Sequence, residues 1–261
     1  MSSSLGILGL LPFGALADGL PASEQSAASD SRAPLEFTMP SNMENRGESG
    51  DVEGGGNRDE ECFATDEPLT AIVPFEEVSR SKTIVWALTT EASPSFWFYI
   101  PYPAEAIEGG RFRLWDEQSY YDEDAKPMYR GNVTVTQTPG IVRLQPEVTL
   151  EPGQKYQWDF HLDLACEDAT SATVSGWVER ETLTIPPSIA SGEANPIDRV
   201  RFYAEHGIWH ETISLLAEYY QDTFAQPWKE LLGDSDIDRA NLVGQPIQQC
   251  CTLVESAAFE E

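Results

Sequence analysis

Lysine is nearly missing from this 261-residue chain: only Lys82, Lys126, Lys155 and Lys229 occur, and 16 basic residues in all face 44 acidic ones. The formal net charge is −28, and it is spread evenly rather than held in a tail: residues 18–67 carry −10, residues 68–187 carry −9 and residues 188–261 carry −9. A field of that sign repels phosphate backbones and anionic bilayers, which excludes nucleic-acid and anionic-membrane binding. It also suits solubility in a saline exterior, where counterions screen the self-repulsion. Histidine is equally scarce, with His161, His206 and His210 the only three. No Gly-x-Ser-x-Gly elbow is present, and the four cysteines have no Cys-x-x-Cys spacing, so neither a hydrolase nucleophile turn nor a zinc or dithiol motif is written here. No apolar run reaches the ~20 residues a membrane-spanning helix needs. We therefore expect a protein that is not an enzyme, with no cofactor, no metal and no transmembrane segment.

What is present is a core. Forty-one per cent of the residues are hydrophobic and 10% aromatic, with 7 Trp. An uncharged apolar run, Leu5–Leu16, ends in Ala15-Leu16-Ala17, a secretory pattern that lacks only a basic residue in front. Residues 1–17 thus predict a signal-like segment and a periplasmic or secreted protein. Residues 18–61, rich in Ser, Gly, Ala, Asn and Glu, predict a disordered acidic leader.

From Leu69 onward short apolar runs alternate with period two. Lys155–Leu164 is the clearest, with Tyr156, Trp158, Phe160, Leu162 and Leu164 on one face. Further strands are expected at Leu69–Val73, Thr83–Leu88, Ser95–Pro101, Arg111–Asp116, Pro127–Val135, Ile141–Leu144 and Ala172–Thr182. Eight short strands without intervening helices predict an immunoglobulin-like antiparallel β-sandwich over residues 62–187. The period then changes. Pro196, Ile197, Val200, Tyr203 and Ala204, a break at Gly207, and Trp209, Ile213 and Leu216 predict a tetratricopeptide-like helical hairpin within residues 188–245. One such unit cannot bury itself, so it must pack on the sandwich or on a partner. Short helices are expected at Pro227–Leu232 and Asp236–Val243, and a loose C-terminus over residues 246–261.

Cys62 opens the ordered region and Cys166 follows the long strand, which suits a disulfide between them; two buried thiols are the alternative. Cys250 and Cys251 are adjacent, and we expect them to pair with another chain or to stay reduced. His206 and His210 flank Gly207 and so should not share a helix face. Asp159 and His161 point away from the aromatic side of their strand, as a wet sheet face would. Asp116 to Asp124 predicts a solvated acidic hairpin with Tyr120 and Tyr121 at its tip. Those tyrosines, with Trp97, Tyr99 and Tyr102 from the two-faced run Phe96–Tyr102, form the candidate binding surface for a protein partner or a glycan. The second face of that run is expected to lie under the helical hairpin.

The succession Leu69-Thr-Ala-Ile-Val-Pro74, Leu88 through Tyr102, Thr138-Pro-Gly-Ile-Val-Arg-Leu144, Tyr156-Gln-Trp-Asp-Phe160, Gly176-Trp-Val-Glu-Arg180 and Tyr203-Ala-Glu-His-Gly-Ile-Trp209 resembles the cyanobacterial domain-of-unknown-function family numbered 928. The likeness runs from about Gly54 to Trp228. It implies no activity and no catalytic residues, but it does imply a signal peptide and a paired cysteine set matching Cys62 and Cys166. The chain departs from the family pattern at Gln118–Asp124 and at Cys250-Cys251. On these grounds we expect an exported interaction protein of the cell envelope, with a carbohydrate- or cell-wall-binding module as the alternative and a hydrolase with an unrecognised site as a more distant one.

Overall fold

A computed structural model of the protein describes residues 33–41, 49–54, 65–166, 171–220 and 224–256, all within the unit Ser31–Glu261. Its order is set by two β-sheets. The smaller contains β1 (Glu53–Gly54), β2 (Leu69–Ala71), β5 (Phe96–Ile100) and β8 (Gly140–Leu144), in the order β1-β2-β5-β8 and antiparallel throughout. The larger has the order β11-β7-β6-β9-β10-β4-β3. Its strands are β3 (Phe75–Ser79), β4 (Lys82–Thr89), β6 (Ile107–Asp116), β7 (Tyr129–Thr134), β9 (Lys155–Leu164), β10 (Ser171–Arg180) and β11 (Thr252–Glu255). Its neighbours are antiparallel except β4 and β10, which run parallel with Trp86 opposite Trp177.

All eight strands expected from alternation are present, and Lys155–Leu164 has the expected bounds. The reason is visible in β9, whose inward residues Tyr156, Trp158, Phe160, Leu162 and Leu164 are all buried. They meet the smaller sheet through rings: Phe98 lies 4.6 Å from Phe160 and 5.8 Å from Trp158, and Phe96 lies 4.9 Å from Phe112. Tilted and edge-on ring pairs of this kind add roughly 0.5–1.5 kcal/mol each beyond their buried area.

Three strands were not legible. β3, Phe-Glu-Glu-Val-Ser, is an exposed edge whose acids mask its period. β1 and β11 belong to crossing segments at the two ends of the fold. At one end, Gly50 N–H donates to Thr83 O of β4 (3.0 Å), Asp51 pairs with Ser175 of β10, and the chain then joins β2 as β1. It fills the place where the parallel pair β4/β10 parts. Only glycine fits at position 50, since a Cβ would lie 2.6 Å from Ser175 O and 2.8 Å from Val85 Cβ. At the other end, Gln248 N–H donates to Ile141 O of β8 (2.8 Å), Ile141 N–H donates to Pro246 O (2.8 Å), and the chain then pairs with β7 as β11. Residues 246–256 of the expected loose C-terminus are therefore stitched to both sheets, and the rest of it lies outside the described residues.

The leader departs from expectation as well. Leu35 and Phe37 are core residues, Leu35 N–H donates to Glu230 Oε2 (2.8 Å), and Phe37 meets the edge of Trp209 at 5.2 Å. Two large apolar side chains in a polar tract were enough to anchor residues 33–41.

The helices are α1 (Glu117–Tyr120), α2 (Pro187–Ala190), α3 (Pro196–Glu205), α4 (Trp209–Tyr219) and α5 (Ala225–Leu232). Pro196 occupies the first turn of α3, as expected, and the Asn195 carboxamide oxygen caps it by accepting from Ile197 N–H (3.1 Å). Gly207 sits at φ +70 between α3 and α4, and no Cβ is tolerated there because Thr38 O would lie 2.8 Å away. The expected helix at Asp236–Val243 is reduced to one 3-10 turn, Ala240–Leu242. The hairpin of α3 and α4 packs on the smaller sheet: Trp209 Nε1–H donates to Ile72 O (3.1 Å) and Trp97 Nε1–H to Ser214 Oγ (3.1 Å). That coverage answers the question of what lies on the second face of Phe96–Tyr102.

Candidate functional site

Strand β8 is the edge of the smaller sheet, and two clefts open along it. One, of about 700 Å³, lies between β8 and the crossing segment, and its walls include Gln145, Gln248, Gln249, Cys250 and Cys251. The other, of about 370 Å³, lies between β8 and the helical hairpin and includes Glu91, Arg199, Tyr203, Glu211 and Ser214. They share Trp97, Arg143 and Gln145, so they adjoin as one groove.

The β-ladder dictates what β8 offers. In an antiparallel pair, residues alternate between bonding the partner strand and pointing both backbone groups away. Ile141 points away from β5, since both its N–H and its C=O are bonded to the crossing segment. Arg143, two residues on and opposite Trp97, has the same orientation. Its backbone N–H and C=O therefore face the groove, beside its own guanidinium.

The hairpin wall is fixed by one carboxylate. Glu211, in the first turn of α4, accepts from Thr90 N–H (2.6 Å), Thr90 Oγ1–H, Glu91 N–H (3.2 Å) and Thr89 Oγ1–H (3.2 Å). Four donors from one turn saturate it, and this makes it a clamp between α4 and the β4–β5 turn. Burial pushes its pKa up to about 7, against the lowering effect of the Thr90 donors. The adjacent Glu91 is also raised by burial, with Arg143 pulling it down. His210, next in line on α4, is fully buried and pushed down to about 4 by desolvation, while its Nδ1–H donates to Ser95 O (2.8 Å).

These two neighbours pull stability in opposite directions with pH. Glu211 has a folded pKa above its usual 4.5, so its contribution is complete below about 4.5 and is lost as pH rises to about 7. His210 has a folded pKa below its usual 6.5, so its contribution is complete above about 6.5 and is lost as pH falls toward about 4. The slopes oppose each other between about 4.5 and 6.5. Glu211→Gln removes one of them, so its stability relative to wild type should fall by about 3 kcal/mol on acidification from pH 7 to pH 4.5. Urea midpoints measured across that range check this, and a pH-independent difference between the two proteins would refute it.

The second polar constellation is on the outer face of the larger sheet. His161 Nδ1 lies 2.7 Å from Thr173 Oγ1 and its Nε2 lies 2.8 Å from Asp163 Oδ1, which also meets Arg111 Nη2 at 3.4 Å. One rung away, Arg113 Nε donates to Asp159 Oδ1 (3.0 Å) and its guanidinium stacks 4.7 Å from the Trp115 ring. Burial holds the Asp159 carboxyl above its usual range despite Arg113. The register explains the set, because Arg111, His161 and Thr173 stand opposite one another across β6, β9 and β10, as do Arg113, Asp159 and Ser175. It is a cross-strand ladder. Alternation put Asp159 and His161 on this face, but Thr173 and the arginines needed the pairing.

The candidate aromatics divide. Trp97, Tyr99 and Tyr102 are buried, 5–7% exposed; α4 meets Trp97 through Ser214, and of the three only Trp97 reaches the groove wall. Tyr120 and Tyr121 are exposed, at 40% and 57%. They are not on a hairpin tip: Asp116 caps α1, accepting from Ser119 Oγ–H (2.6 Å) and Ser119 N–H (2.9 Å), which together hold its carboxyl below the usual range, and both tyrosines lie against Trp177. His206 ends α3 with Nδ1 on Phe202 O, apart from buried His210. Among the described residues, no cluster of three or more His, Cys, Asp or Glu side chains could hold a metal, and no helix is long and apolar enough to cross a membrane. Cys250 and Cys251 are bonded to each other, which corrects the expectation of free or intermolecular thiols. Cys166 is disulfide-bonded, and Cys62 lies outside the described residues.

Fold and groove together define a mostly β protein of two sheets, flanked by helices that wall a polar groove along one sheet edge. The chain belongs to the family described as Domain of Unknown Function (DUF928), whose model matches residues 53–247. No curated protein and no solved structure matches it.

Proposed function

We propose that this protein is a non-enzymatic interaction module that holds an extended segment of a partner polypeptide in the groove along β8. The observation that carries the reading is the outward-facing backbone of Arg143, at a sheet edge lined by the amide side chains of Gln145, Gln248 and Gln249. An extended peptide laid there gains main-chain hydrogen bonds from the strand, and the glutamines supply both donors and acceptors. Glu211, the most strongly perturbed acid in the groove, is saturated by structural donors, which supports binding over acid–base chemistry. The net charge of −28 steers a basic partner toward the protein. We further propose that the protein works in the periplasm or outside the cell, as part of a cyanobacterial envelope. The signal-like Leu5–Leu16 and the bonded cysteines support this, since disulfides persist in oxidising compartments.

Panning a random linear peptide library against the purified protein tests the reading. Selected peptides should bind at least tenfold more weakly to Arg143→Pro, which removes the outward N–H at a sheet edge that tolerates proline, a loss of ~1.4 kcal/mol. A library that yields no binder, or binders indifferent to that substitution, would count against it. The alternative of a glycan-binding module rests on Tyr120 and Tyr121, whose exposed rings beside Trp177 could stack on a sugar.

A further inference from the structure

Accepting that reading of the groove, we infer that the Cys250–Cys251 disulfide is a redox latch that sets whether the groove is formed. The bonded pair stands at the step where the crossing segment leaves β8, bonded there through Gln248, and turns to join β7 through Thr252. Both cysteines are half-buried and both line the 700 Å³ cleft, so a reductant can reach them from the groove itself. Cys251 is held at φ +80, a left-handed conformation that a side-chain-bearing residue seldom adopts unaided, and the disulfide ring keeps it there. Beyond it, β11 is only four residues long, largely exposed, and bonded on one side alone as the edge of the larger sheet. Apart from the disulfide ring, the chain is held here by the β11–β7 pairing and by Ser256 N–H on Arg130 O (2.8 Å).

The reaction is thiol–disulfide exchange with a dithiol reductant. One reductant thiolate attacks Sγ of either cysteine, the Cys250–Cys251 bond breaks, and the released sulfur leaves as a thiolate that takes up a proton. The second reductant thiolate then attacks its partner's sulfur in the mixed disulfide and frees the other cysteine. Two electrons and two protons pass to the cysteine pair, and the reductant becomes a disulfide. Without the ring, Cys251 relaxes from the left-handed region, β11 loses its register on β7, and the outer wall of the groove is lost.

Hydrogen exchange of residues 252–256 and the affinity of a fluorescent library-selected peptide, measured in oxidised protein, in dithiothreitol-treated protein and in a Cys250→Ser/Cys251→Ser variant, test the latch. Reduction should lower β11 amide protection and peptide affinity at least tenfold. The double variant should match the reduced protein and be unmoved by dithiothreitol. Because that variant retains the Cys166 disulfide, it separates the two bonds, and circular dichroism confirms that it folds. Equal β11 protection in all three samples overturns the latch, and so does peptide affinity that is unchanged while protection falls. If no peptide binds in any sample while protection still falls on reduction, the peptide-binding reading fails and redox control of the groove wall stands.

Discussion

Glu211→Ala should destabilise the protein by about 3–5 kcal/mol at neutral pH. The carboxylate sits in the first turn of α4 and accepts four hydrogen bonds from Thr89, Thr90 and Glu91, more than 100 residues away in the chain. Alanine leaves the Thr90 N–H and hydroxyl without their acceptor in a half-buried setting, while Glu91 N–H keeps only the Thr89 hydroxyl (3.1 Å), and each unmet group costs roughly 1–3 kcal/mol. It also opens a void where the carboxylate stood. The urea midpoint should fall with little change in the dependence on denaturant, because the folded and unfolded surfaces are nearly unchanged. Conservative Glu211→Gln should lose less at this pH, since its carbonyl oxygen still accepts. A loss below about 1 kcal/mol for the alanine variant would show that the turn at Thr90 finds other partners and that the hairpin is not clamped there.

Trp209→Ala should cost about as much, roughly 3–5 kcal/mol, by a different route. The indole is 1% exposed, meets Phe37 edge-on at 5.2 Å and donates to Ile72 O at 3.1 Å. One side chain thus ties α4 to the smaller sheet and to residues 33–41. Its loss should also raise the exchange rates of amides in α3 and α4 above those of β9, because the hairpin loses its deepest anchor while the ring layer between the sheets stays intact. Trp209→Phe keeps most of the volume and loses the hydrogen bond, so it should fall between wild type and alanine. Uniform loss of protection across β9 and the hairpin would contradict a separate anchoring role.

The legible part of this fold was the part written in short-range period. In β9 every inward residue is large and apolar and every outward one polar, so strand, length and face could be read together. Pro196 and Gly207 carry the start and break of the hairpin in their own backbone preferences. β3 and β11 failed that test, because an exposed edge strand need not alternate. Leu35 and Phe37 failed it for want of length. The aromatic run Phe96–Tyr102 showed the limit most clearly: its composition fitted a binding face as well as the expected cover by the hairpin, and the position of α4 decided for cover over Trp97.

By itself, then, the sequence determined the local elements, the inward faces, the absence of a nucleophile elbow and the acidic field, since each depends on residues a few positions apart or on plain counting. Tertiary structure decided which strands share a sheet, that β4 and β10 run parallel, that residues 49–54 and 246–255 cross between the sheets, and that Arg143 presents its backbone to a groove walled by the bonded Cys250 and Cys251. Period two says which way a side chain points but not what it meets. That pairing is settled by contacts between distant segments, where the entropy of closing long loops is repaid only once the whole core is in place.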